Sequence, residues 1–257
     1  MKNLLRLLCT VSTATIICLI IPILFPINSV AQIKNIVLVH GAFVDGSGWK
    51  GVYEILSKKG YNVSVAQQPL VSFSADSMAV ARIINQQTGH CILVAHSYGG
   101  ALITEAGNSE KVRGLVFIAA HAPDKGESEA DNGKLYPSAY QSLIKGSDGW
   151  DYINPDKFHE DFAADLPMEE AAFSSNSQLP TADAVFHARI KNPAWRSKPS
   201  WYIVAEKDRI INPYLEKMYA KRAGSYMEIA TGASHSVYIT HAAQVASIII
   251  QASLHKY

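Results

Sequence analysis

Cysteine is the scarcest reactive residue in this chain: Cys9, Cys18 and Cys91 are the only three among 257 residues. No cysteine or histidine cluster has the spacing of a metal site, so no metal is expected. A Gly-rich phosphate loop and a dinucleotide fingerprint are both missing, which leaves no sequence signal for a nucleotide cofactor. Lysine and arginine total 23 against 22 acidic residues, a formal net charge of +1, and no basic run is interleaved with aromatics. A nucleic-acid partner is therefore not expected. Low-complexity tracts and fixed-period repeats are absent too, which excludes fibrous and solenoid architectures. What remains is a chain with 48% apolar residues, enough for one sizeable core with an insertion.

The first 31 residues stand apart. Lys2 and Arg6 precede an apolar run from Leu7 to Ile27, and Ser29-Val30-Ala31 puts small residues at minus three and minus one of a cut before Gln32. That pattern predicts a signal peptide over 1–31, a domain over 32–257, export to the periplasm or beyond, and no stable membrane association after cleavage. An uncleaved anchor is the alternative, because about 20 apolar residues suffice to span a bilayer. Pro22, Pro26 and the small-residue cut favour cleavage. Cleavage would remove Cys9 and Cys18, leave Cys91 without a disulfide partner, and turn the net charge slightly negative by taking away two basic residues.

Beyond Gln32 the hydrophobic pattern alternates. Ile36–Val39 is an unbroken apolar run of the kind buried on both faces of a parallel sheet. Further strands are predicted at Tyr61–Ala66, Ile92–Ala95, Val112–Ala120, Trp201–Ala205 and Tyr226–Ala230. Helical patterns lie between them: one capped by Ser47 with Trp49, Val52, Tyr53 and Leu56 on one face, one from about Ser74, and one opened by Asn212-Pro213. Such alternation predicts right-handed βαβ units and a mainly parallel sheet of about six strands with helices on both faces. From about 123 to 198 the alternation lapses, which predicts a lid inserted after the fourth strand.

The stretch Ile92 to Ala95 runs straight into His96-Ser97-Tyr98-Gly99-Gly100 and then a helix-like segment. A serine on such a strand-to-helix elbow has its hydroxyl lifted off the sheet and a helix N-terminus behind it, where a developing oxyanion is stabilised. Ala95-His96-Ser97-Tyr98-Gly99 resembles the Gly-x-Ser-x-Gly elbow of the α/β-hydrolase superfamily, with alanine in the first small position. The resemblance extends through His40-Gly41-Ala42-Phe43-x-Asp-Gly-Ser-x-Trp, Ala122-Pro123-Asp124 and Lys221-Arg222-Ala223-Gly224. It covers nearly all of 33–255 and is similar to bacterial relatives of plant methyl-ester esterases and hydroxynitrile lyases. It implies an α/β-hydrolase fold with a helical lid and a cofactor-free hydrolase of small carboxylic esters.

A serine hydroxyl needs a base, and the base needs an acid to fix its tautomer. The superfamily order of Ser, acid, His points to Ser97, Asp208 and His235, the last two in loops that follow predicted strands. Asp124 is the runner-up acid and Glu206 a weaker one. Among the remaining histidines, His96 is expected to pack, His121 and His159 to lie where they can face the pocket, and His90, His187, His241 and His255 to be solvated. The backbone N–H groups of Ala42 and Tyr98 are the expected oxyanion donors. Phe43, Trp150 and Phe158 are candidate substrate-pocket residues in a lid rich in aromatics. Hydroxynitrile lyases carry a threonine after the first histidine and a lysine after the catalytic one; Gly41 and Ser236 stand there instead, which weighs against a lyase. The same triad is also compatible with a hydrolase-like ligand-binding protein or a perhydrolase.

Overall fold

The computed structural model describes residues 32–257. Its element order follows the alternation of the sequence: β1 (Asn35–Val39), α1 (Lys50–Lys58), β2 (Asn62–Ala66), α2 (Phe73–Gln86), β3 (Cys91–Ser97), α3 (Gly99–Ala106) and β4 (Val112–Ala120). The insertion follows, with α4 (Glu129–Leu135), β5 (Leu143–Lys145), β6 (Trp150–Ile153), α5 (Pro155–Phe162), α6 (Met168–Asn176) and β7 (Thr181–Ala182). The chain then closes with β8 (Ser200–Ala205), α7 (Pro213–Arg222), β9 (Tyr226–Ala230), α8 (Val237–Thr240) and α9 (Ala242–Leu254).

Six strands form one parallel sheet in the order β2-β1-β3-β4-β8-β9. Every residue of β3 and β8 is buried, as their uninterrupted apolar runs require, whereas the edge strand β9 leaves Tyr226, Met227 and Ile229 exposed. One core layer sets Val80, Leu102 and Leu215 against one face of the sheet. A second sets Trp49, Val52, Leu56 and the α9 residues Val245, Ile248 and Ile249 against the other. Cys91 sits inside, where burial pushes its thiol up to about 11, so it packs as a small hydrophobe.

Strand order reverses between β1 and β3. In an open parallel sheet the crevice at that reversal, outside the carboxyl ends of the strands, is where ligands bind. The loop after β1 carries Ala42, and the turn ending β3 carries Ser97.

Three local expectations change. Asp45 caps the first helical turn, its carboxylate accepting from Ser47 N–H at 2.8 Å, because an aspartate two residues upstream competes with Ser47 for that role. Tyr53 is 44% exposed, since Trp49, Val52 and Leu56 already fill the inward stripe of α1. The lid holds helices, as expected, and in addition a three-stranded antiparallel sheet β5-β6-β7. Strands of two to four residues are too short for alternation to register. No helix among the described residues is long and apolar enough to cross a membrane. The signal-peptide expectation falls on residues 1–31, outside them.

Candidate active site

Ser97 ends β3 with φ of 53°, a left-handed conformation that a serine adopts only where its surroundings impose it. The imposing contacts are visible. A Cβ on Gly99 would lie 2.6 Å from the His40 carbonyl oxygen, and one on Gly41 would lie 2.7 Å from the Ser97 Cβ. The β1 loop and the elbow are thus pressed together with room for glycine alone.

His235 lies in the loop after β9, fully buried, with Nε2 2.9 Å from Ser97 Oγ and Nδ1 2.6 Å from Asp208 Oδ2. Asp208, in the loop after β8, uses its other oxygen to accept from the N–H groups of Ile210 at 2.7 Å and Ile211 at 2.9 Å. That leaves one oxygen facing the imidazole. Nδ1 therefore donates to the carboxylate, and Nε2 accepts from the serine hydroxyl. Residues 97, 208 and 235, distant in sequence, form one hydrogen-bonded line. The rival acids stand elsewhere: Asp124 is held in a bidentate pair with Arg196 at 2.7 and 2.8 Å, and Glu206 accepts from Gly232 N–H at 2.9 Å.

Ser97 opens into a cavity of about 300 Å³ shared with Ala42 and Phe43. The Ala42 N–H meets no acceptor among the described residues. Tyr98 begins the first turn of α3, where an N–H has no helical partner. Its ring is buried and its hydroxyl donates to Asp76 at 2.8 Å, so the residue contributes backbone to the site and side chain to the core. The insertion holds the β1 loop in place: Thr181 Oγ1 accepts from Phe43 N–H, and Leu179 N–H donates to the Phe43 carbonyl, both at 3.1 Å.

Of the three expected pocket aromatics, Phe43 lines the cavity. Trp150 does not, being placed on β6 with its backbone committed to the small sheet. Phe158 is buried against Phe162, ring centroids 4.8 Å apart, within the lid's own packing. Phe186 and Tyr140 take the wall instead. His121 lines the cavity; His187 stands at its rim with its side chain 54% exposed, solvated as expected; His159 donates to the Leu166 carbonyl at 3.0 Å.

Two positioning groups had no signal in the sequence. His96 packs as expected, its ring 4.2 Å from that of Tyr238, and in addition hydrogen-bonds the His235 carbonyl at 2.9 Å. Asp165, in the lid, accepts from Ser234 N–H at 3.2 Å, from the Ser234 hydroxyl and from the Thr240 hydroxyl at 2.8 Å. It thereby ties down the loop carrying His235. Asp165→Ala is expected to lose these three hydrogen bonds, lowering stability by roughly 2 kcal/mol and kcat by about 10-fold through a displaced imidazole. Thermal melting and ester turnover check both.

The sequence pattern of the alpha/beta hydrolase family matches residues 36–248. The chain belongs to that family. This α/β-hydrolase is 32% identical over 108 residues to a carbendazim-hydrolysing esterase of a Nocardioides species, a match covering 37% of the chain and 45% of that relative. Matches to three curated relatives span 36 to 62% of their lengths. Among solved structures, a pyrethroid hydrolase of Sphingobium faniae superposes with a TM-score of 0.75 at 21% identity, covering 86% of this chain and 98% of that one. Polyneuridine aldehyde esterase superposes at 0.73 and 18% identity, covering 86% and 100%. At those identities the structural likeness speaks for the fold of this α/β-hydrolase.

Proposed function

We propose that this protein is a serine hydrolase of small carboxylic esters. Ser97 attacks the ester carbonyl while His235 Nε2 takes its proton, and Asp208 holds the imidazole in the required tautomer and stabilises its charge. The N–H groups of Ala42 and Tyr98 receive the oxyanion. His235 returns the proton to the departing alcohol, leaving an acyl group on Ser97. Water, deprotonated by the same imidazole, then releases the acid. The observation that carries this reading is the line Ser97 Oγ, His235 Nε2, His235 Nδ1, Asp208 Oδ2, with contacts of 2.9 and 2.6 Å, opening into a cavity. The names of the relatives support it from outside, since they share hydrolysis and two of the three described above are esterases.

The apolar groups Phe43, Phe186 and Ile210 around the cavity favour a compact apolar or aromatic ester. Export through the N-terminal segment belongs to the same reading, with the working enzyme beginning at Gln32.

A fluorophosphonate tests the nucleophile directly. The expected result is one stoichiometric adduct on the peptide containing Ser97, found by mass spectrometry, and none in His235→Ala. An unlabelled Ser97 in the folded protein would sink the proposal and favour a ligand-binding role.

A further inference from the structure

The cavity that holds Ser97 also holds a buried carboxyl that the chemistry above does not use. Glu129, the first residue of α4, is 6% exposed and lines the cavity wall beside His121. Among the described residues its Oε1 has no hydrogen-bond partner, and no lysine or arginine pairs with it. Its Oε2 lies 3.5 Å from His121 Nε2. A buried polar atom without a partner is disfavoured by about 1–3 kcal/mol, so an unsatisfied one in a side chain that lines a ligand cavity marks a place where a ligand atom belongs.

The neighbours decide what kind of atom. Asn132 Nδ2 donates to the Tyr219 hydroxyl oxygen at 3.0 Å, which directs the Tyr219 O–H toward His121 Nδ1 at 3.3 Å. His121 Nδ1 is then an acceptor and Nε2 carries the proton, facing Glu129 Oε2. Burial drives the His121 pKa down to about 3 and holds the Glu129 carboxyl well above the usual carboxylate range. Burial thus favours the uncharged form of both groups. A neutral carboxyl whose Oε2 already faces a donor offers its O–H from Oε1 and keeps an acceptor lone pair beside it. That pairing discriminates against a cation, which needs a carboxylate. It discriminates against an anion too, because the lysines of the cavity rim, Lys134 and Lys145, are paired with Asp131 and Asp183.

We propose that Glu129, oriented by His121, is a specificity-determining residue that receives, in the same ester whose carbonyl meets Ser97, a neutral group able both to accept and to donate a hydrogen bond, an amide above all. This rests on the esterase reading and deepens it: the substrate is an ester with an apolar body and an amide-like function remote from the reacting carbonyl. A site built to hydrogen-bond such a group discriminates strongly against analogues that lack it.

Ester pairs test this. In each pair an N-acetylamino group, on the acyl or the alcohol side and at one of several chain lengths, is set against its all-carbon isostere. Wild-type enzyme is expected to prefer the amide member of at least one pair by about 10-fold or more in kcat/KM, carried mainly by KM. Glu129→Gln, whose carboxamide also donates and accepts, retains most of that ratio. Glu129→Leu brings it to about 1 while KM for the all-carbon member falls. Because each ratio is taken within one protein, altered overall activity does not enter it, and Glu129→Ala serves where the leucine variant does not fold. Absence of any amide preference in the wild type, or a preference that survives in Glu129→Leu, overturns the inference. Failure of Ser97 labelling would instead overturn the esterase reading on its own.

Discussion

Ser97→Ala is expected to lower kcat on p-nitrophenyl butyrate by on the order of 10⁴- to 10⁶-fold, with the fold unchanged. Among the described residues, the alanine removes the only hydroxyl within hydrogen-bond reach of His235 Nε2. What survives is the contribution of the oxyanion donors and of binding, which need no serine. His235→Ala should fall as far, and the double variant no further, because the two residues act as one unit. Asp208→Asn tests the third member in a more pointed way. The N–H groups of Ile210 and Ile211 demand an oxygen at one position of that side chain, so the new amide nitrogen must face His235. It would donate to Nδ1 and drive the proton onto Nε2, turning the base into a donor toward Ser97; a loss near 10⁴-fold in kcat follows. Circular dichroism melting of each variant separates chemistry from folding, and a Ser97→Ala protein that melts normally yet hydrolyses at the wild-type rate would refute the mechanism.

The second large effect is on stability in acid. His40 is fully buried, with Nδ1 2.8 Å from the Gly41 carbonyl and Nε2 3.3 Å from the Gln68 N–H. Nδ1 donates and Nε2 accepts, an arrangement open to the neutral ring alone, and burial lowers the pKa from 6.5 to about 4. The sign follows directly. Below pH 6.5 the unfolded chain takes up a proton that the folded chain refuses, so stability is lost as pH falls from 6.5 toward 4. For His40 this amounts to roughly 2 to 3 kcal/mol. His121, lowered to about 3, and His96, lowered well below its ordinary value by burial, add to the loss. Glu129 and Glu216 act the other way, since burial raises their folded values, and as pH falls the folded state binds their protons first. Urea midpoints for the wild type and His40→Asn at pH 7.5 and 4.5 isolate the His40 share. The asparagine can still donate to the Gly41 carbonyl and has nothing to titrate. The wild type should lose about 2 kcal/mol more than the variant across that interval; equal losses would refute the assignment.

Much of this protein was legible from one dimension. A parallel sheet needs strands buried on both faces, and Ile36–Val39 and Ile92–Ala95 announce that by lacking any polar alternation. The elbow around Ser97 was legible because its crowding admits few residue types, and the loops of Asp208 and His235 because each follows such a strand, at the sheet rim where functional groups gather. Pocket walls were not legible. Trp150 and Phe158 have the composition of a substrate pocket, yet Trp150 lies on the small lid sheet and Phe158 packs on Phe162, while Phe186 and Tyr140 line the cavity. Aromatic content says that a residue will be buried, and only the path of the insertion says against what.

What the amino-acid order alone determined, then, was the alternation of strands and helices and the positions of Ser97, Asp208 and His235 at strand ends on the sheet rim, because both are dictated by local backbone requirements. What the tertiary structure decided was the tautomer of His235, through the two N–H groups that anchor Asp208, the bracing of its loop by Asp165 and His96, and the placing of the Glu129 carboxyl in the cavity wall. Those depend on hydrogen bonds between residues far apart in the chain, for which no local spacing leaves a trace.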